Sequence, residues 1–363
     1  MIRPLISADC HVTEPLDLWS SQLPSALKDV GPRIEFADGR GAFMIEDKIA
    51  MKLPPLPKNS GTGAARRDGV VSGLPGDTVE KRLSALEQDG VYAEVLYPQL
   101  AFFCAFEIRN VALQVSVCRI YNDWLAETFL QHPRFTGVAL LPVLDMAHAL
   151  AELDRLPALG FRSAMIPCHS DEIPYNETHW EPLWESAADK GIALAFHVGT
   201  GRTQQPAHGA GAAVVNYVVT LASGMETTAY LCASGVLERH PKLRVGLVEG
   251  GAGWLAWTLE AMDDAYREHA AWVRPKLEAL PSEYFKRQGF VTFQRDPVGL
   301  ANIGRTGARC LLWGSDHPHP EGTFPHSQRI VAEEFKNTPK EIADAVLWGN
   351  AVEIYGFDPP PGA

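Results

Sequence analysis

The sequence contains no Gly-x-x-x-x-Gly-Lys-[Ser/Thr] phosphate loop, no Gly-x-Gly-x-x-Gly opening a helix after its first strand, and no Gly-x-Ser-x-Gly elbow. Nucleotide hydrolysis, dinucleotide redox chemistry and serine-esterase chemistry of those types are set aside. No run approaches the roughly 18 apolar residues a membrane-spanning helix needs, and Met-Ile-Arg-Pro-Leu lacks the apolar segment of a secretory leader. The six cysteines (10, 104, 118, 168, 232 and 310) form no Cys-x-x-Cys, so neither a disulfide frame nor a zinc ribbon is expected. Several lie inside apolar runs, as buried thiols do, and a reduced, cytoplasmic protein is the expectation. Positive charge is in deficit: 32 Lys and Arg against 44 Asp and Glu give a net charge of -12. That balance argues against nucleic acid or an anionic membrane as partner. A small-molecule substrate is expected, with a homodimer left open.

What the sequence does have is metal chemistry at strand ends. Ile6-Ser-Ala-Asp-Cys-His-Val12 reads as a first strand. Side chains two apart on a strand share a face, so Asp9 and His11 can meet one ion while Cys10 points away. Alone, the pair is better explained by a turn-capping Asp beside a hydrogen-bonded His. Three further apolar runs end in a metal-ligand type of residue: Ile192 to His197, Leu243 to Glu249 before Gly250-Gly251, and Cys310 to Asp316. A carboxylate such as Glu249 at the end of an apolar strand needs a partner, because burying it bare costs several kcal/mol.

Taken in order, the chain alternates. Residues 13 to 76 are proline-rich and irregular, with a small hairpin expected within Arg33 to Ile49 around the Asp38-Gly39 turn signal. A stretch this long suits an insertion or lid. Asp77-Thr-Val-Glu80 reads as a capping box with Asp77 as N-cap, opening a helix that Gly90 ends. Strands are predicted over Val91 to Tyr97, Thr136 to Val143, Phe161 to Pro167, Ile192 to His197, Leu243 to Glu249, Gly289 to Gln294 and Cys310 to Asp316. Helices separate them, among them the amphipathic series Leu113, Val117, Ile120 and Trp124. With the first strand this makes eight strand–helix units, which predict an α/β protein of closed (β/α)8 type. An open doubly wound sheet rarely draws on both outer strands for one site. In a barrel the C-terminal strand ends share one mouth, where Asp9, His11, His197, Glu249 and Asp316 all fall.

Other histidines compete for a place. Trp313-Gly-Ser-Asp-His-Pro-His-Pro-Glu-Gly is dense in polar groups. His317 and His319 alternate with prolines and point to opposite sides, His319 being the better candidate to reach the site. His169, after the fourth strand, stands second to it. His132, His148, His179, His240 and His269 lie on helices or their ends and read as structural or solvated.

Together, Asp9-Cys-His11, His197, Pro241-Lys-Leu-Arg244, Trp313-Gly-Ser-Asp316, Asn122-Asp-Trp124 and the closing Trp348-Gly-Asn-Ala-Val-Glu-Ile-Tyr-Gly356 resemble the amidohydrolase superfamily. Within it they are most similar to the amidohydrolase-2 group that includes 2-amino-3-carboxymuconate-semialdehyde decarboxylase. The resemblance spans essentially the whole chain and is weakest over residues 13 to 76. It implies a distorted TIM barrel with a divalent metal that activates water or polarises a substrate carboxylate, with His11, His197 and Asp316 as ligands or metal-proximal groups. Two positions depart from the decarboxylases. They begin with His-x-His or Glu-x-His, where this chain has Asp9, and they place a His where Glu249 stands.

The expectation is one barrel domain over 1–363, with 13–76 as an insertion or lid over its mouth. Asp9, His11, His197, Glu249, Asp316 and His319 would hold zinc, iron or manganese, one ion or possibly two. Glu249 and Asp316 would take part in catalysis. Hydrolysis of a C–N or C–O bond and decarboxylation of a small organic acid both fit this set. The carboxylate-rich pattern is also similar to dinuclear non-heme iron oxygenases, the main alternative. A barrel that only binds a metabolite is the non-enzymatic one.

Overall fold

A computed structural model describes residues 3–37, 40–52, 76–201 and 207–362. Eleven strands are seen among them: β1 (Ile6–Val12), β2 (Arg33–Ala37), β3 (Arg40–Ile45), β4 (Lys48–Lys52), β5 (Ala93–Pro98), β6 (Phe135–Leu140), β7 (Ser163–Pro167), β8 (Ala193–His197), β9 (Val245–Val248), β10 (Gly289–Phe293) and β11 (Leu311–Trp313). Eight form one sheet in the order β1-β5-β6-β7-β8-β9-β10-β11, and the pairings along it are parallel. With helices between successive strands, this is a nearly closed (β/α)8 barrel, as the alternation implies.

The strands read as apolar runs because both their faces are covered. β5, β6, β7, β8, β9 and β10 are buried throughout. Outside them the helices begin and end on local signals. Asn110 caps Val111–Thr128, accepting the Leu113 N–H, and Gly191 closes Glu181–Lys190 at a left-handed φ of 64°. A buried Arg82 grips Glu94 on β5 through two bonds of 2.7 Å and donates to the His11 carbonyl at 2.9 Å. That ties the first helix after the insertion to the strand carrying His11.

One local expectation is corrected. The N-cap of Val79–Asp89 is Thr78, not Asp77. Asp77 is committed elsewhere, its Oδ2 accepting the Thr13 N–H at 3.1 Å and lying 3.7 Å from Arg82. The expected hairpin is present, β2 pairing antiparallel with β3 from Arg33 opposite Met44 to Ala37 opposite Arg40, and β4 extends it to a three-stranded sheet. A short helix, Leu18–Gln22, precedes it. Asp38-Gly39 and the apolar stretch Leu53 to Leu56 lie outside the described residues.

Candidate metal centre

β1 places Asp9 and His11 two apart, β8 ends on His197, Glu249 follows β9 directly, and Asp316 comes three residues after β11. Their side chains converge at the barrel mouth. His11 Nε2 and His197 Nε2 each lie 3.2 Å from Glu249 Oε2, and His11 Nε2 lies 3.6 Å from Asp316 Oδ1. His197 Nε2 is 4.0 Å from Asp9 Oδ1. His319 Nδ1 stands 3.0 Å from Asp316 Oδ1 and 3.8 Å from Glu249 Oε2. Two overlapping quartets result, Asp9-His11-His197-Glu249 and His11-Glu249-Asp316-His319, with donor atoms within 4.8 Å of one another in each. His11 and Glu249 belong to both.

The backbone is shaped for this. Among described non-glycine residues, only Glu46, Glu249 and Asp316 have positive φ, at 53°, 60° and 54°. Non-glycine residues held there cost about 1–3 kcal/mol each and cluster at functional sites. Gly314 lets β1 and the end of β11 touch, since a Cβ there would lie 2.6 Å from the Asp9 Cβ.

Supporting bonds fix the imidazoles. His11 Nδ1 is 2.8 Å from the Pro98 carbonyl and His197 Nδ1 is 3.0 Å from the Val198 carbonyl, so each Nε2 faces inward. Thr292, on β10, accepts the Glu249 N–H at 2.7 Å and donates to Asp9 Oδ2 at 3.0 Å. Sequence reading missed it, although a threonine between Val291 and Phe293 in a wholly buried strand is the signal that could have found it. Glu14 was missed too. Its carboxylate accepts the N–H groups of Gln99, Leu100 and Ala101, and so secures the start of the helix carrying Phe102.

Charge and burial pull against each other here. Burial pushes the Asp9 carboxyl well up, opposed by His197 and reinforced by Asp316 and Glu249. It also pushes Asp316 up to about 7, aided by Glu249, and His11 down to about 4, aided by His319. Burial likewise disfavours charge on Glu249, yet the hydrogen bonds and charges of His11 and His197 hold it well below the usual carboxylate range. His319 rises to about 9 because Asp316 and Glu249 outweigh its burial. The carboxylates thus rely on imidazole protons for compensation, a service that a divalent cation performs with its own charge.

A metal ion fits this set. Asp9 Oδ1 and Asp316 Oδ2 are buried without a hydrogen-bond partner among the described residues, a costly state that coordination relieves. Imidazole nitrogens and carboxylate oxygens suit zinc, iron or manganese.

Not every candidate joins in. His169 lies in a separate cleft, 2.8 Å from Asp171 and 3.4 Å from Glu226. The His317 ring packs on Phe324 at 4.2 Å and belongs to neither quartet, while its carbonyl accepts the His11 N–H. His240 bonds Glu181 at 2.8 Å and belongs to neither quartet. Above the two quartets opens a cleft of about 230 Å³, walled by Phe102, Val198, Tyr217, Leu221, Gln99 and Glu321. The neighbouring Phe103 side chain lies outside the described residues.

Residues 77–357 match the family model described as Amidohydrolase. The chain belongs to this family. A curated relative of this amidohydrolase is the 2-amino-3-carboxymuconate-6-semialdehyde decarboxylase of Dictyostelium discoideum, 27% identical over 296 residues, 77% of this chain and 76% of that one. Two solved structures share its fold. The 5-carboxyvanillate decarboxylase of Sphingomonas paucimobilis matches with a TM-score of 0.72 at 20% identity, covering 98% of this chain and 99% of the other. A dihydroxybenzoic acid decarboxylase from Polaromonas with bound manganese matches with a TM-score of 0.66 at 19% identity, over 98% and 97% of the two chains. The amidohydrolase is therefore an enzyme, a metal-dependent hydrolase or carboxy-lyase. Among its described residues, no helix is long and apolar enough to cross a membrane.

Proposed function

We propose that this amidohydrolase is a carboxy-lyase that removes CO2 from a small organic acid at one divalent ion held by Asp9, His11, His197 and Asp316, with Glu249 as a further ligand or the base and His319 in reserve. The convergence of these side chains around two partnerless buried carboxylate oxygens carries the metal assignment. Kinship with a decarboxylase at 27% identity favours the reaction. When bound, the ion supplies Lewis acidity and a point of attachment for a substrate carboxylate. Decarboxylation breaks the bond between that carboxylate and its carbon, CO2 leaves, and the electron pair left on carbon takes up a proton. Asp316 and His319, 3.0 Å apart, form a pair able to hold and deliver one. Glu249, within 3.2 Å of both inward imidazoles, is a further ligand or the base.

Hydrolysis is the second reading, and Glu249 is what favours it. A carboxylate beside a metal-bound water is a competent general base where the decarboxylases carry imidazole. As part of the proposal, the described residues among 13–76 act as a lid over the mouth. In support, Glu46 Oε1, between β3 and β4, accepts the Arg109 and Asn110 N–H groups at 3.3 and 3.2 Å, next to the helix that carries Phe102. The substrate is taken to be a small molecule met in the cytoplasm, without nucleic acid or membrane as partner.

Elemental analysis of protein grown with iron, manganese and zinc, followed by turnover of aromatic carboxylic acids with and without oxygen, tests the reading. About one ion per chain and anaerobic CO2 release are expected, both lost on chelation. Near two irons per chain with oxygen consumption would overturn it in favour of the oxygenase. CO2-free cleavage of an amide or ester would favour the hydrolase.

A further inference from the structure

A helix with a broad apolar face ordinarily packs that face inside a protein. The helix Ala212–Thr220, Ala-Ala-Val-Val-Asn-Tyr-Val-Val-Thr, has no buried residue. Val214, Val215, Tyr217, Val218 and Val219 are 49 to 70% exposed. Exposed apolar surface of this density marks a place where something binds.

The helix is continuous with the catalytic cleft. Tyr217 and Thr220 on it, and Leu221 just after it, are part of the cleft wall. Val214, Tyr217, Val218 and Leu221 fall at i, i+3, i+4 and i+7, so they form one stripe. It begins in the cleft at Leu221 and runs outward for about 10 Å at 1.5 Å per residue. Facing the metal ligands, the Phe102 ring stands edge-on to His197 with centroids 4.7 Å apart. Gly199 lies beside the same ring, a Cβ there meeting its tip in ordinary contact at 3.5 Å. An apolar path therefore leads from the His197 ring past Phe102 onto the stripe. Glu249 and Glu321 border the same cleft and repel a second anionic group.

We infer that the substrate carries, beyond the group that meets the metal, an uncharged apolar arm seated along Phe102 and the stripe Leu221-Tyr217-Val218-Val214. The inference rests on the proposed metal site for the position of the reacting end, and on the apolar path alone for the arm.

Binding of alkyl hydroxamates with two, six and ten carbons to the metal-loaded full chain, followed by calorimetry, separates the two claims. Lengthening the tail should tighten binding about two- to fourfold per methylene until about 10 Å is filled. In the double variant Val214→Ser, Val218→Ser, whose sites are exposed, acetohydroxamate should bind as before, and the ten-carbon probe should lose about tenfold. Equal affinity across the series, or a tail gain that survives in the variant, overturns the arm. Should acetohydroxamate itself fail to bind, the metal reading falls. The arm is then decided by decan-1-ol against ethanol, which must still favour the original protein over the variant. A dimer in sedimentation that the variant dissociates would assign the valines to a second copy of the chain and overturn the inference.

Discussion

Replacing Thr292 by valine should loosen the metal without unfolding the barrel. Valine keeps the shape and removes only the hydroxyl, which accepts the Glu249 N–H at 2.7 Å and donates to Asp9 Oδ2 at 3.0 Å. An orphaned buried N–H costs about 1–3 kcal/mol, and a lost hydrogen bond to a charged group about 1.5–3 kcal/mol. The two share one hydroxyl, so they do not add fully, and a total near 2–4 kcal/mol is expected in equilibrium denaturation. The effect on metal has a separate origin. Glu249 is held at φ 60°, and its N–H anchor is part of what keeps it there. Released, the backbone relaxes toward ordinary φ and carries the carboxylate with it. Loss of such supporting bonds typically weakens metal binding 10- to 100-fold, about 1.4–2.8 kcal/mol. Competition against a chelating dye measures it. Thr292→Ser restores the hydroxyl and should stay within about threefold of the original. A valine variant that binds metal as tightly as the serine variant would refute the reasoning, as would a serine variant no better than valine.

Two predictions concern the surrounding frame. Burial raises the Glu14 carboxyl from its ordinary 4.5 to about 7 despite its backbone N–H bonds. Its neutral form is the one that folding favours, so its contribution is complete below about pH 4.5 and lost as pH rises through 7. That is worth about 3 kcal/mol. Denaturation curves for Glu14→Gln should lack this decline, and curves parallel to the original across pH 4.5 to 7 would disprove it. Arg82→Ala strands Glu94 as a buried charge and should cost about 3–5 kcal/mol in urea denaturation, whereas Arg82→Met with Glu94→Leu should recover most of it. A single-variant loss below about 1 kcal/mol would contradict the buried pair.

The parts legible in the sequence were those with a local signature. Apolar runs ending in Asp9-Cys-His11, His197, Glu249 and Asp316 pointed to the barrel and to the cluster at its mouth, because parallel strands buried on two faces leave little else to read. Partnerships across the sheet left no such trace. Thr292 and Asp9 are 283 positions apart, and only closure of the barrel brings them together. Arg82 looks like any helix-surface arginine until Glu94 appears opposite it. The choice between Asp77 and Thr78 as N-cap was likewise settled from a distance, by the Thr13 N–H that takes the Asp77 carboxylate. His319 was distinguishable from His317 only by its side of the chain, and its 3.0 Å approach to Asp316 agrees with that side.

The sheet runs from β1 to β11, and those two strands stand at its opposite ends. Where they meet there is no regular ladder, only separate bonds: Asp316 N–H to the Asp9 carbonyl and His11 N–H to the His317 carbonyl, each 2.8 Å, and Ser315 N–H to Ser7 Oγ at 2.7 Å. Asp9 and His11 lie on one lip of this seam, Asp316 and His319 on the other. An ion held by residues of both lips would be a clasp as well as a reagent, fastening the first strand of the barrel to the last. Holding the ion and holding the cylinder shut would then be one task.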